Sequence, residues 1–188
     1  MEVARMTDAR RIIVSIAVSA DGFIARPDGD FSWLDRPQPE GGYGLEAFFQ
    51  TIDTILWGRK TYELGRKLGG DSLGMGPGVR NYVFSRNPPP QDAPKTVAFV
   101  SESIPDFARR LRGEPGKDVW MMGGAGLIGS FLDAGQIDAF SIHVIPVMIG
   151  EGIPLAAPAR RQVSLKLAST RSFPDGVVHL DYEVERSK

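Results

Sequence analysis

A glycine-rich segment in the second half of the chain, Gly124–Gly129, has the G-x-G-x-x-G spacing of a dinucleotide-binding loop. Apolar residues before it predict a strand, Asp118–Met122, and those after it predict a helix, Gly124–Ala134. Glycines between a strand and a helix let a ligand approach the backbone, and the free N–H groups of the helix N-terminus favour a phosphate. The segment therefore predicts an anion site, with tight helix–sheet packing as the alternative reason for the glycines.

The rest of the Rossmann dinucleotide fingerprint is missing. A carboxylate is expected about 20 residues after the glycines, at the end of the next strand. The next predicted strand, Ala139–Val147, ends without one, and Glu151 lies beyond it in a loop. The residues after Gly129 have the pattern of antiparallel strands rather than of further βαβ units. We therefore interpret the spacing as coincidental and take the pair Gly123–Gly124 as the informative glycines.

A second candidate anion site follows another short strand, predicted at Asp53–Trp57. The next helix begins with Gly58-Arg59-Lys60-Thr61, which places a guanidinium and a hydroxyl in a first turn whose N–H groups also attract anions. Ser85 and Arg86 end the following strand, where a hydroxyl and a guanidinium suit a dianionic phosphate. The alternative is that Arg59 is a solvated surface residue.

Alternating strands and helices must position these residues. Strands are predicted at Ile12–Val18, Asp53–Trp57, Asn81–Ser85, Thr96–Val100, Asp118–Met122, Ala139–Val147, Val163–Ser172 and Val177–Val184. Helices are predicted at Leu45–Thr51, Gly58–Lys67, Gly124–Ala134 and from an N-cap at Ser101 to Leu111. This order predicts an α/β fold with three layers, α/β/α, around a mostly parallel, twisted sheet whose C-terminal strands are antiparallel.

The composition excludes several classes of protein. The chain has 188 residues and a net charge of −1, so electrostatics favour neither nucleic acid nor an anionic membrane as a partner. It has no cysteine, which excludes disulfides, zinc–thiolate sites and thiol catalysis, and no metal site is predicted. No apolar run approaches the roughly 20 residues of a membrane span, and no secretory signal is evident. We expect a cytoplasmic protein.

We expect one domain, residues 11–188, after a flexible N-terminus at residues 1–10. Two long loops are predicted within it, at Arg26–Gly44 and at Leu68–Gly78. The first carries Trp33 and is long enough to cover or bind a substrate.

Five segments in this order resemble the dihydrofolate reductase-like superfamily. They are Val18–Ala25, Asp53–Glu63, Asn81–Arg86, Val119–Asp138 and Ile145–Leu155. The resemblance spans residues 11–184 and is closer to the C-terminal reductase domain of riboflavin biosynthesis, the RibD C-terminal type, than to true dihydrofolate reductases. It implies a stand-alone reductase module that acts as a homodimer.

The resemblance also implies that NADPH lies across the carboxyl ends of the strands. Arg59 would lie near the 2′-phosphate, Ser85 and Arg86 would distinguish NADPH from NADH, and a cis peptide would join Gly123 to Gly124. The implied cofactor-binding residues are Ala17, Gly58, Arg59, Lys60, Thr61, Ser85, Arg86, Gly123, Gly124, Ala125, Gly126 and Leu127.

On the substrate side, the resemblance points to Asp21 in the turn after the first strand. Asp21 would bind substrate or assist proton transfer, although a plain Asp-Gly turn is the alternative. Glu46 is the other candidate acid, but it falls one position past the carboxylate that true dihydrofolate reductases keep in this helix, and Leu45 occupies that position. The implied substrate-binding residues are Ser19, Asp21, Trp33, Gly150 and Gly152.

The leading hypothesis is an NADPH-dependent reductase that transfers a hydride to a C=N or C=O group of a small polar substrate, pyrimidine-, pterin- or sugar-like. A nucleotide-binding or oligomeric protein without turnover on the same scaffold is the second hypothesis, and a true dihydrofolate reductase is the third. Both histidines, His143 and His179, lie in predicted strands and are interpreted as packing residues.

Overall fold

The structure is a computed structural model that describes residues 9–69 and 78–186. Nearly all of the N-terminus predicted to be flexible, and most of the loop predicted at Leu68–Gly78, lie outside these ranges. The strands are β1 (Ile12–Ser19), β2 (Phe23–Ala25), β3 (Ile52–Gly58), β4 (Arg80–Phe84), β5 (Val97–Val100), β6 (Asp118–Gly123), β7 (Ala139–Ile145), β8 (Ile153–Pro154), β9 (Leu165–Ser172) and β10 (Val178–Val184). The α-helices are α1 (Leu45–Thr51), α2 (Arg59–Gly69), α3 (Ile104–Arg112) and α4 (Ala125–Asp133).

Eight strands form one sheet in the order β5-β4-β3-β6-β1-β7-β10-β9. All neighbours from β5 to β7 are parallel, and β10 is antiparallel to both β7 and β9. The antiparallel pair forms because β9 and β10 are joined by a short turn, whereas the earlier strands are joined by helices or longer loops. The described residues contain no helix long and apolar enough to cross a membrane.

The sheet lies between two layers of helices. Successive residues of β6 point to opposite faces of the sheet. Val119 and Met121 pack in a core that contains residues of α3 and α4, whereas Trp120 and Met122 pack with α1 and α2 on the other face. The three-layer α/β/α fold with a mostly parallel sheet is therefore confirmed.

Helix α3 begins later than the sequence analysis predicted. Its N-cap is Ser103, whose hydroxyl oxygen accepts a hydrogen bond from the backbone N–H of Asp106 at 3.3 Å. Pro105 accounts for the difference, because in a helix starting at Ser101 it would remove a needed intrahelical hydrogen bond. In the observed helix Pro105 lies in the first turn, where that N–H has no intrahelical partner. The prediction of Ser101 as N-cap was wrong.

A separate two-stranded sheet pairs β2 with β8, and the sequence analysis did not predict it. Both strands are too short to show a clear alternation of apolar and polar residues. The pairing brings two backbone segments into close approach at Gly152, where a Cβ atom would lie 2.3 Å from the carbonyl oxygen of Ala25. Gly152 is thus the residue that lets the loop after β7 lie against the segment after β1.

At the amino ends of the strands, a buried ion pair fastens the start of the described chain to β3. The side chain of Arg10 is 2% exposed and pairs with the carboxylate of Asp53. Arg10 also donates hydrogen bonds to the hydroxyl of Thr54 at 2.6 Å and to the carbonyl oxygen of Lys117 at 2.7 Å. The other carboxylate oxygen of Asp53 accepts from the N–H of Lys117 at 2.9 Å. The Arg10–Asp53 pair and its hydrogen bonds therefore join three chain segments, at residues 10, 53–54 and 117, at the amino ends of the strands.

Candidate active site

The connections of the main sheet diverge between the neighbouring strands β3 and β6. From β3 the chain passes through α2 to β4 on one side, and from β6 it passes through α4 to β7 on the other. Ligands of open α/β sheets bind outside the carboxyl ends of the strands at such a point, where the diverging connections leave a crevice. The carboxyl ends here are Gly58 and Gly123, and a helix follows each of them.

The two helix N-termini meet through glycine backbone. A Cβ atom on Gly58 would lie 3.3 Å from the carbonyl oxygen of Gly123 and 3.4 Å from the nitrogen of Gly124. A Cβ atom on Gly124 would lie 3.0 Å from Oγ1 of Thr61, in the first turn of α2. The peptide bond between Gly123 and Gly124 is cis, which confirms the expectation from the family resemblance. Side chains at either carboxyl end would separate the two helix ends.

The N-terminus of α4 offers backbone N–H groups to a ligand. Its N-cap, Gly124, makes no side-chain capping hydrogen bond. The first hydrogen bonds of the helix run from the N–H groups of Leu127 and Ile128 to the carbonyl oxygen of Gly124, at 2.9 and 3.1 Å. The N–H groups of Ala125 and Gly126 precede these bonds and lie at the open end of the helix. Two positive helix ends therefore meet at one place, which suits a pyrophosphate.

The last glycine of the G-x-G-x-x-G spacing, Gly129, has different surroundings from the middle glycine, Gly126. A Cβ atom on Gly126 would meet nothing within 4 Å, whereas one on Gly129 would lie 3.2 Å from Cβ of Ala157 and 3.3 Å from Nη2 of Arg161. Arg161 is held there by two hydrogen bonds to the carboxylate of Asp133, at 2.7 and 2.9 Å. Gly129 thus permits tight packing against α4, so the spacing is not one continuous phosphate-binding motif.

Replacing these two glycines separately tests this division. We expect Gly129→Ala to lower the free energy of unfolding by about 1–2 kcal/mol, because the added methyl group overpacks the contact with Ala157. Gly126→Ala should be neutral or stabilise the protein by up to about 1 kcal/mol, because alanine favours the helix and the site is open. Urea unfolding measures both values. Equal destabilisation by the two substitutions would contradict the packing assignment of Gly129.

Arg59 is anchored over the ends of β4 and β5 rather than being a solvated surface residue. Its Nη1 donates to the carbonyl oxygen of Pro88 at 3.0 Å and lies 3.4 Å from the hydroxyl oxygen of Ser85. Its Nε donates to the carboxylate of Glu63 at 2.5 Å, and its guanidinium lies over the ring of Phe99, 5.3 Å from the centroid. The structure therefore brings Arg59 close to Ser85, and a 2′-phosphate site at these residues stays a prediction.

Three further polar residues were predicted for this end of the cleft: Ser85, which is half-buried, and Arg86 and Lys60, which are exposed. Ser85 accepts a hydrogen bond from the N–H of Asn87 at 3.1 Å and thereby fixes the turn that follows β4. Arg86, in this turn, and Lys60, in the first turn of α2, are both exposed. Lys60 directly follows Arg59 in the chain, and Arg86 directly follows Ser85. Their roles in cofactor binding stay predictions.

Asp21 fastens the end of β1 to the loop that follows β7. One carboxylate oxygen accepts from the hydroxyl of Ser19 at 2.6 Å, and the other accepts from the N–H groups of Gly150 at 2.7 Å and Ile149 at 3.1 Å. The hydrogen bond from Ser19 lowers the pKa of Asp21 most, and the two backbone N–H groups lower it further. Asp21 is therefore ionised at neutral pH, where it can accept hydrogen bonds but cannot donate a proton.

The structure does not bring the two predicted catalytic carboxylates together. Glu46 is exposed in the first turn of α1. The residues of this helix that pack on the sheet are Phe48 and Phe49, whose rings lie 5.8 and 5.4 Å from the ring of Trp120. No hydrogen bond joins Glu46 to Asp21 in the part of the chain that the structure describes. Catalytic roles for both residues stay predictions, and the geometry favours an anchoring role for Asp21.

The remaining residues predicted for the substrate surround the carboxyl ends of β1 and β7. Trp33 packs in a small apolar cluster with Ala17 of β1 and Ile145 of β7, so the long loop does reach this part of the sheet. Ser19 is 1% exposed, and it accepts from the N–H of Phe23 in addition to its bond with Asp21. Ser19 is thus committed to the turn rather than open to a ligand.

The two histidines form a contact that the sequence analysis missed. The rings of His143 and His179, in β7 and β10, stack at a centroid distance of 4.1 Å and an interplanar angle of 4°. On the side of β7 away from β10, His143 is aligned with Ala17 of β1. Only the antiparallel pairing of β10 with β7 brings the two rings together, so no spacing in the sequence could reveal them.

The fold is dihydrofolate reductase-like. The chain is similar to a dihydrofolate reductase from Enterococcus faecalis, solved in complex with NADP(H), with a TM-score of 0.65 at 15% identity over 94% of this chain and 97% of that one. It is also similar to a protein assigned to riboflavin biosynthesis from Shewanella sp. PV-4, with a TM-score of 0.80 at 26% identity over 94% and 99% of the two chains.

More specifically, the chain belongs to the RibD C-terminal domain family, whose pattern matches residues 10–179. It is 39% identical to the uncharacterized protein YwjB of Bacillus subtilis (strain 168), over 89% of this chain and 95% of that protein. The family suggests a reductase, and it agrees with the resemblance found in the sequence.

Proposed function

We propose that the protein is an NADPH-dependent reductase that transfers a hydride to a C=N or C=O group of a small polar substrate. The observation that carries this proposal is the meeting of two helix N-termini at Gly58 and Gly124, with Arg59 and Ser85 beside them. The helix ends suit the pyrophosphate of a dinucleotide, and the guanidinium and hydroxyl suit a further phosphate on its ribose. The same fold in the Enterococcus protein holds NADP(H).

In this proposal the reduced nicotinamide supplies the hydride, and the protein supplies binding and orientation. The ionised carboxylate of Asp21 accepts hydrogen bonds from the substrate. The side chain of Trp33, near Ala17, excludes water from the site. The substrate belongs to the pyrimidine-, pterin- or sugar-like class that the family resemblance implies. Glu46 lies one position past the carboxylate of true dihydrofolate reductases, where this chain has Leu45, and this offset argues against folate reduction.

Titration of the protein with NADPH, followed by the fluorescence of its three tryptophans, tests the cofactor, and the nicotinamide absorbance with a panel of substrates tests turnover. We expect micromolar binding and oxidation of NADPH by at least one member of the panel. No binding at millimolar NADPH would overturn the proposal. Binding without oxidation would favour the second hypothesis, a nucleotide-binding protein without turnover.

Arg59→Ala should weaken NADPH binding about tenfold or more and leave NADH binding almost unchanged, because only NADPH carries the phosphate that the guanidinium meets. The measurement is the ratio of the two dissociation constants. Lys67→Ala, which removes an exposed cation from the last turn of the same helix, is the matched control and should preserve the ratio. An unchanged ratio in Arg59→Ala would show that the guanidinium does not read the 2′-phosphate.

The homodimer implied by the family resemblance stays a prediction, and the free edge of the sheet supports it. β9 is an edge strand of the main sheet. All of its residues are exposed, including Leu165 and Leu167 at 40% and 50%. A second copy would cover these leucines and pair with the open backbone of the edge. The cytoplasmic location also stays a prediction from the composition.

A further inference from the structure

Tyr43 attaches the long loop, residues 26–44, to the sheet. Its hydroxyl donates to the carboxylate of Asp175 in the turn between β9 and β10, and its ring meets the ring of Phe173 edge-on at 5.1 Å. Its carbonyl oxygen is 3.1 Å from Nε2 of His143 in β7. The same loop carries Trp33, which packs against the cluster of Ile145, Phe173 and Val177 beside the end of β7. The contacts of Tyr43 therefore help to hold Trp33 over the carboxyl ends of the strands.

His143 and His179 differ in their polar partners. His143 is 6% exposed, and its Nε2 meets the neutral carbonyl oxygen of Tyr43. Nε2 of His179 lies 2.7 Å from the hydroxyl oxygen of Ser141 and 3.2 Å from the carboxylate of Asp181. A carboxylate therefore lies beside His179, whereas the polar neighbour of His143 is an uncharged carbonyl oxygen. Two positive charges 4.1 Å apart in parallel rings would repel each other.

Burial and the neighbouring imidazole of His179 lower the pKa of His143 below its ordinary value. The hydrogen bond to Tyr43 and the more distant carboxylate of Asp181 raise this pKa, but by less. The other charged groups around the pair are engaged elsewhere. They are Asp175 and Arg36, which pair with each other at 3.4 Å, and Arg171, whose guanidinium lies 4.7 Å above the ring of Phe173.

We propose that His143 is a positioning residue that holds the loop 26–44 over the substrate end of the cleft, and that acidification releases this loop. The closed form takes up a proton on His143 less readily than a form in which the imidazole meets water. Falling pH therefore favours the open form, which binds more protons. β1 and β10 flank His143 within the sheet, so the loop is the neighbour that can move away. The link to a substrate rests on the proposed function, whereas release of the loop does not.

The chain has only two histidines and three tryptophans, so NMR can follow each ring. We expect the indole N–H signal of Trp33 to change between about pH 7 and pH 5 with the same midpoint as the imidazole of His143. The indoles of Trp57 and Trp120, which donate to Asn81 and Ser15 at 2.9 Å, are internal controls that should not change. Trp33→Phe and His143→Gln assign the signals.

Two substitutions separate the titration of His143 from its hydrogen bond. His143→Gln keeps a neutral N–H donor toward Tyr43, so the Trp33 signal should stay in its closed position down to about pH 5. His143→Leu removes the donor, so the open signal should appear at neutral pH as well. A Trp33 transition that persists in His143→Gln, or a closed signal in His143→Leu, would overturn the proposal.

The consequence for substrate is measured separately at neutral pH. For a panel member that oxidises NADPH, His143→Leu should raise the KM for substrate severalfold, and His143→Gln should restore it. A loop transition with no turnover of any substrate would count against the proposed reductase and leave the positioning role intact. A KM that His143→Leu leaves unchanged would refute a role of this loop in holding substrate.

Discussion

Gly124→Val should weaken NADPH binding by about 100-fold or more while leaving the protein folded. The valine side chain would begin 3.0 Å from Oγ1 of Thr61 and occupy the place where the N-termini of α2 and α4 meet. A pyrophosphate there would lose about two charge-assisted hydrogen bonds from backbone N–H groups, or about 3 kcal/mol of binding free energy. Fluorescence titration with NADPH measures the change, and circular dichroism confirms the fold.

Gly113→Val is the matched control for this experiment. Gly113 also follows a structured element, as the C-cap of α3, and has φ of −79°, which any residue adopts. It does not belong to the helix ends that meet at Gly124, so its replacement should leave NADPH affinity within about twofold. Equal loss of affinity in both variants would mean that Gly124 acts through global stability. Unchanged affinity in Gly124→Val would remove the anion site from this junction.

Asp53→Ala should lower the free energy of unfolding by about 3–5 kcal/mol. The substitution leaves the guanidinium of Arg10, which is 2% exposed, without its counterion, and an uncompensated buried charge is costly. It also removes the acceptor of the Lys117 N–H. Urea unfolding at neutral pH measures the loss. Replacing both partners, as Arg10→Met with Asp53→Ala, should recover part of it because no buried charge then remains.

Glu114→Ala is the control for the Asp53 experiment. Both carboxylates contact Arg80, at 2.5 Å for Glu114 and 3.8 Å for Asp53, but Arg80 is 37% exposed whereas Arg10 is 2% exposed. Pairs exposed to water contribute little, so the loss should stay below about 1 kcal/mol. A loss in Asp53→Ala as small as in Glu114→Ala would show that water, rather than the carboxylate, balances the charge of Arg10.

Local features of the site could be predicted because the residues that form them are adjacent in the chain. A glycine at the end of a strand and a helix directly after it leave free backbone N–H groups at the helix start, and the structure has this arrangement at Gly58 and at Gly123 with Gly124. The long loop was also predictable, because nineteen residues rich in Pro, Gly and Asp, 26–44, are too many for a connector. Its attachment through Tyr43 was not.

Contacts between distant segments could not be predicted in the same way. The carboxylate of Asp21 looked available for proton transfer. The hydroxyl of Ser19 lowers its pKa most, and two N–H groups of the distant loop after β7 lower it further and attach Asp21 to that loop. Glu46 falls in the predicted helix, yet the packing of Phe48 and Phe49 on Trp120 leaves it exposed. Helical periodicity predicts which residues share a face, but the neighbours of that face depend on the order of the strands.

The sequence by itself determined the succession of the helices and of the eight strands of the main sheet, the family, and the two glycine-rich helix starts, because short-range backbone preferences and apolar patterns encode them. Only the tertiary structure decided that these helix starts meet, that Asp21 is an anchor, and that His143 stacks on His179. The physical reason is the strand order: β3 lies beside β6, and β7 lies between β1 and β10. Pairings across so many residues are chosen by the assembly of the whole sheet, and no local spacing in the chain records them.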